Sequence, residues 1–245
     1  MKLLILDSGH NEYVKGKEAP DKSLREWVFN NDIQTLLKKR AQEHGIEVYL
    51  TNPSPSKKDE IGLAKRATLA NEHWTKNNKP KSVFVSIHAN AYGSDFNSAR
   101  GTETYIAKNA SQSSKDCAKY VHDEIVKTMK SIDSNAKDRG VKTENFTVIY
   151  KASMPSILLE YGFYSNKDDL KILKDNKEEL VEATLKGVCK YFNITYKPVQ
   201  KEVATSSTGT QLYAVCVGAY SYDRAKQMQE EMISKGYTST YIIPR

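Results

Sequence analysis

Two histidines and two glutamates hold the chemistry this chain could perform. Leu6-Asp7-Ser8-Gly9-His10, Val85-Ser86-Ile87-His88-Ala89-Asn90 and Ile157-Leu158-Leu159-Glu160-Tyr161-Gly162-Phe163 each run from an apolar stretch into polar residues. In an open α/β sheet, ligands bind in the crevice at the carboxyl ends of the strands. His10, His88 and Glu160 are therefore expected to converge. Singly, each is weak: a histidine after a strand commonly anchors a loop, and a glutamate there is commonly solvated or paired. Three uses of one topological edge say more than any one of them. Glu26 completes the set, because it shares a helix face with Asn30, Ile33 and Leu37. A carboxylate in a first helical turn complements the helix dipole. On the core-facing side it also needs a partner, since burying an unpaired charge is expensive. A metal would be such a partner. Two His and one Glu, with the fourth position left for water, make a catalytic zinc ligand set. Asn90, two residues beyond His88, reads equally as a substrate-binding side chain and as a loop cap.

The elements that must position these residues alternate along the first two hundred positions. Residues 3–6, 46–50, 83–87, 101–106, 146–150 and 156–159 read as strands. Helical spacing covers 24–43, 59–74, 111–130 and 178–192, with Gly45 as a stop signal and 51–56 as a loop. Strands separated by helices predict an α/β, three-layer architecture: a mostly parallel sheet flanked by helices. The texture changes after Phe192. The catalytic unit is expected to span 1–196, and the polar, aperiodic stretch 197–210 reads as a linker. Residues 211–245 read as a small β-α-β unit with a strand at 212–217, a helix near 222–234 and a strand at 239–243. About forty residues is close to the limit for independent folding.

Composition excludes several classes. With 245 residues, 39% hydrophobic and 27% charged, the chain is too apolar for disorder and long enough for its own core. No apolar run approaches the ~20 residues of a membrane span, so no membrane insertion is expected. MKLLILDSGH is too short in its apolar part for a signal peptide. The expectation is synthesis in the cytoplasm. Cys117, Cys189 and Cys216 are too far apart for a metal cluster and read as reduced thiols. The formal net charge of +7 lies mostly in the first 200 residues and suits an anionic polymer, nucleic acid or solubility alone. The C-terminal unit lacks the basic aromatic motif of an RNA-binding sheet, so no nucleic-acid partner is expected. His44 reads as a helix-end cation, His73 and His122 as helix residues away from the site, and Arg66 as structural.

The chain resembles the zinc-dependent N-acetylmuramoyl-L-alanine amidases of bacterial cell-wall hydrolases and phage endolysins. The likeness rests on LDSGH at 6–10, REWVFNNDIQ at 25–34, GIEVYLT at 45–51, AKRATLAN at 64–71, VFVSIHANA at 83–91, GTETYI at 101–106 and SILLEYGFYSN at 156–166. It implies His10, Glu26 and His88 as zinc ligands and Glu160 as the catalytic glutamate. It also implies hydrolysis of the amide between N-acetylmuramic acid and L-alanine of peptidoglycan, acting on the wall after release from the cell. The complete set of four argues against the alternative, a non-catalytic peptidoglycan-binding protein. Residues 212–243 resemble half of a sporulation-related repeat domain that binds peptidoglycan. A half module with both strand faces apolar implies a homodimer through 211–245.

Overall fold

Leu3, Leu4, Ile5 and Leu6 are wholly buried, as a strand covered on both faces requires. They form the centre of β1 (Lys2–Ser8), which lies between two parallel neighbours, β2 (Glu47–Leu50) and β3 (Lys81–Asn90). The computed structural model describes residues 1–53 and 60–199. The unit at 211–245, most of the linker and Cys216 lie outside these residues. Residues 1–198 form one compact unit.

The six-stranded sheet has the order β2-β1-β3-β6-β4-β5, completed by β4 (Thr102–Ile106), β5 (Asp138–Thr143) and β6 (Ser156–Phe163). All pairings are parallel except β4 with β6. One face of the sheet is covered by α1 (Glu26–Glu43), α3 (Gln112–Ile132) and α6 (Lys177–Phe192), which build the larger core with Leu4, Leu6, Val83, Val85, Ile157 and Leu159. The other carries a smaller core of Leu3, Ile5, Phe84 and Leu158, packed with Ala70 of α2 (Leu63–Lys76) and Val148 and Ile149 of α4 (Thr147–Tyr150). α5 (Lys167–Asp175) follows β6. The sequence thus predicted the three-layer architecture correctly, while the antiparallel β4 makes the sheet mixed. Among the described residues no helix is long and apolar enough to cross a membrane.

One local reading needs correction, and two elements have no counterpart in the sequence reading. The stretch expected as a strand at 146–150 holds a short helix, Thr147–Tyr150, instead; Val148 and Ile149 are β-branched, and a run this short has no periodicity to reveal a helical turn. The true neighbour is β5, whose sequence DRGVKT has no apolar alternation because it lies at the sheet edge. Nor did the pattern expose α5, although Asn166 caps it by accepting from the Asp168 and Asp169 amides.

Candidate active site

The three strand ends do meet. β1 runs into His10, β3 carries His88 as the register partner of Glu160 on β6, and Glu26 opens α1 over the same sheet edge. Glu26 is 2% exposed, and its helix buries Asn30, Ile33 and Leu37 along the anticipated stripe. Its Oε2 lies 3.3 Å from His10 Nε2 and its Oε1 lies 3.0 Å from His88 Nδ1. One ligand atom from each of the three falls within 4.8 Å of the others. Ligands about 2.0–2.1 Å from a tetrahedral zinc are about 3.3 Å from one another. Each histidine nitrogen lies at about that spacing from one of the two carboxylate oxygens, and the donor types are those of a zinc site, so the set fits a metal of the zinc type. Burial alone would raise the proton affinity of Glu26. The hydrogen bonds with His10 and His88 reverse this and hold it well below the usual carboxylate range.

A frame of side chains holds the ligands. Asn52 Nδ2 donates to the carbonyls of Ser8 and His10, at 2.9 and 3.0 Å, which secures His10 in the left-handed backbone region at φ 60°. Gln34 accepts from the Ser8 amide, and its own amide donates to the Asn52 carbonyl. Asn30 donates to the Gly9 carbonyl at 3.0 Å. Gly9 itself is needed: a Cβ there would lie 2.1 Å from Cε1 of His88. Below the ligands, buried Asp7 accepts from Thr51, Ser86 and Arg66. Arg66 is wholly buried and also donates to the Ile61 and Ser8 carbonyls, which fits its structural reading.

Glu160 sits in register between His88 on β3 and Glu103 on β4, so all three share one sheet face. Its buried Oε2 has no hydrogen-bond partner among the described residues. Burial, then the neighbouring carboxylates Glu26 and Glu103, push its proton affinity well above the ordinary carboxylate range, opposed by Lys17. A carboxyl with its proton affinity raised in this way is a candidate proton carrier.

Glu103 was missed in the sequence, although GTETYI contains it. It is 2% exposed and accepts from Arg139, from Lys142 at 2.6 Å, from Tyr105 at 2.5 Å and from Asn90 at 3.2 Å. Burial raises its proton affinity, but Lys142, Tyr105 and Arg139 outweigh that and keep it ionised. Asn90 also accepts from the Ala91 amide at 2.8 Å, so it caps the loop while reaching Glu103. The remaining histidines lie elsewhere. His73 stacks on Tyr49, and His122 joins Thr104 to Asp138. His44 Nε2 accepts from the Lys197 amide while Nδ1 contacts the Arg40 carbonyl. That ring sits at the C-cap of α1, as expected of a helix-end residue, and also ties the helix to the following chain. Cys117 and Cys189 are buried free thiols.

Known proteins resemble the chain over most of its length. Residues 4–190 match the N-acetylmuramoyl-L-alanine amidase family. The endolysin of Bacillus phage SPP1 is 29% identical over 224 residues, covering 87% of this chain and 76% of that protein. A sporulation-specific N-acetylmuramoyl-L-alanine amidase of Bacillus subtilis is 28% identical over 245 residues, covering 98% and 84%. Among solved structures, the catalytic domain of CwlV, an N-acetylmuramoyl-L-alanine amidase from Bacillus (Paenibacillus) polymyxa var. colistinus, has a TM-score of 0.67 at 29% identity. It covers 80% of this chain and 100% of that domain. The chain belongs to the N-acetylmuramoyl-L-alanine amidase family.

Proposed function

We propose that this family member hydrolyses the amide between the lactyl carbonyl of N-acetylmuramic acid and the amino group of L-alanine in peptidoglycan, with zinc as its metal. The observation that carries the reading is the His10, Glu26 and His88 cluster beside Glu160, whose buried Oε2 has no hydrogen-bond partner among the described residues. The chemistry a zinc ion supplies in such a triad is Lewis acidity, which polarises a carbonyl and acidifies water towards a pKa of about 7. The chain's own residues do the rest. His10 and His88 present ring nitrogens to one carboxylate, and Asn52, Gln34 and Asn30 keep that arrangement rigid. Glu160 takes a proton from the attacking water and delivers it to the leaving amine nitrogen, so a free alanine amine and a muramyl carboxylate result.

The test is digestion of purified cell walls and of a soluble muramyl peptide by the zinc-loaded protein, with and without a chelator. New alanine amino termini without new reducing sugar ends are expected, and chelation should abolish them. A zinc-loaded protein that releases no amino termini would remove the reading. Residues 211–245, by their likeness to half of a peptidoglycan-binding module, support a further role in wall affinity through a homodimer. Sedimentation of the full chain beside a form ending at Val199 tests this: two monomers at micromolar concentration would end the dimer idea.

A further inference from the structure

Past Glu160 on the same sheet face, at the far edge of the sheet, two cations meet. In a regular strand, residues three apart point to opposite faces. Arg139 and Lys142 are three apart, yet both bond to the same oxygen of Glu103. The reason is a bulge: Thr102 pairs with Asp138 but Thr104 pairs with Val141, which leaves one extra residue on β5 at Arg139-Gly140, with Gly140 at φ 82°. The bulge turns Arg139 onto the site face beside Lys142. Arg139 is 38% and Lys142 37% exposed, whereas the carboxylate they share is buried. The guanidinium stands over the Phe163 ring at 5.0 Å, and neither of its Nη groups finds an acceptor among the described residues. Two partly exposed positive charges thus lie on the site face, one carboxylate is bonded to both, and their remaining N–H groups can take a second one.

Strand order gives these cations a direction relative to the reaction. His10 follows β1, His88 lies on β3, Glu160 on β6, Glu103 on β4 and the cations on β5. The carbonyl side of the scissile amide belongs with the histidines. The nitrogen that receives its proton from Glu160 belongs on the other side, so the peptide attached to that nitrogen runs towards β4 and β5. Resting on the amidase reading above, we propose that Arg139 and Lys142 form a subsite for a carboxylate of the stem peptide on the leaving-amine side of the bond. They are specificity-determining residues. A planar, stacked guanidinium suits a carboxylate bidentately, and the ammonium adds a point charge.

The experiment compares two soluble substrates, N-acetylmuramyl-L-alanyl-D-glutamate and its diamide, in which both glutamate carboxylates are carboxamides. Zinc-loaded wild type should favour the carboxylate about tenfold in kcat/KM, chiefly through KM, as charge-assisted hydrogen bonds exceed neutral ones by that order. Arg139→Gln and Lys142→Gln should each bring the ratio to within about twofold of unity, and Arg139→Lys should retain part of it. Each single change leaves one cation on Glu103, and a purely structural role would lower both substrates alike. Equal turnover of the two substrates by wild type, or variants that keep the wild-type ratio, would overturn the subsite while leaving the amidase reading intact. Turnover of neither by wild type would end both.

Discussion

At the scale of single residues, Glu160 combines two features that stability alone would not retain: a buried oxygen without a partner among the described residues and a raised proton affinity. Glu160→Gln is expected to keep the fold and bind metal, yet to lose on the order of 10²–10⁴ in kcat/KM. Steady-state kinetics with metal content measured on the same sample checks this. Gly9 makes a different point, since its backbone conformation is ordinary and only its missing Cβ matters. In Gly9→Ala the new methyl group must displace the His88 ring, because that ring is the nearest yielding part. The expected outcome is at least a tenfold fall in zinc affinity by chelator competition, with a melting temperature close to wild type. A large loss of stability with unchanged zinc affinity would show that the loop yields instead of the ring.

At the scale of elements, α3 and α6 pack closely over the sheet at Gly187. A Cβ there would lie 2.4 Å from Cα of Val121, which is backbone and cannot give way. Gly187→Val should therefore cost about 3 kcal/mol in denaturant unfolding, at the upper end of overpacking effects. α1 and α6 are joined differently, by Arg40 Nε donating to Glu182 at 2.5 Å, while Tyr196 and the Lys197 carbonyl bond to the same pair. Burial raises the proton affinity of Glu182, but Arg40 and Tyr196 outweigh it and leave a net depression. A carboxylate with a depressed folded pKa stabilises fully above its unfolded value, near 4.3, and that contribution disappears as pH falls through the folded value. Glu182→Gln should thus cost about 1–2 kcal/mol at pH 7, an intermediate figure for a half-buried pair. The difference from wild type should shrink steadily below pH 4. A difference independent of pH would mean that packing, not charge, joins the helices.

At the scale of the whole molecule, residues 1–198 make one compact unit that contains all four proposed site residues and the carboxylate-binding cations. A chain ending at Val199 should therefore fold, bind one zinc and cleave a soluble muramyl peptide at the wild-type rate. Any loss should appear on whole cell walls, where residues 211–245 would act. Reduced turnover of the small substrate would show that the C-terminal residues complete the site.

His10, Glu26, His88 and Glu160 were legible in the sequence because each ends an apolar run or begins an amphipathic one, and hydrophobic patterning is a local property. The same patterning predicted β1, β3, β6 and the long helices with their buried faces. It failed at β5, a polar edge strand whose bulge is defined only by pairing with β4. Glu103, Arg139 and Lys142 were invisible for that reason: 36 residues or more separate the cations from the carboxylate, and register alone unites them. Asn52 and Gln34 were hidden likewise, since a side chain bonded to a distant carbonyl leaves no periodic trace. Residue type and local pattern determined which groups could act. Strand order, register and one inserted residue decided which groups surround them, because long-range pairing energies act only once the sheet has formed.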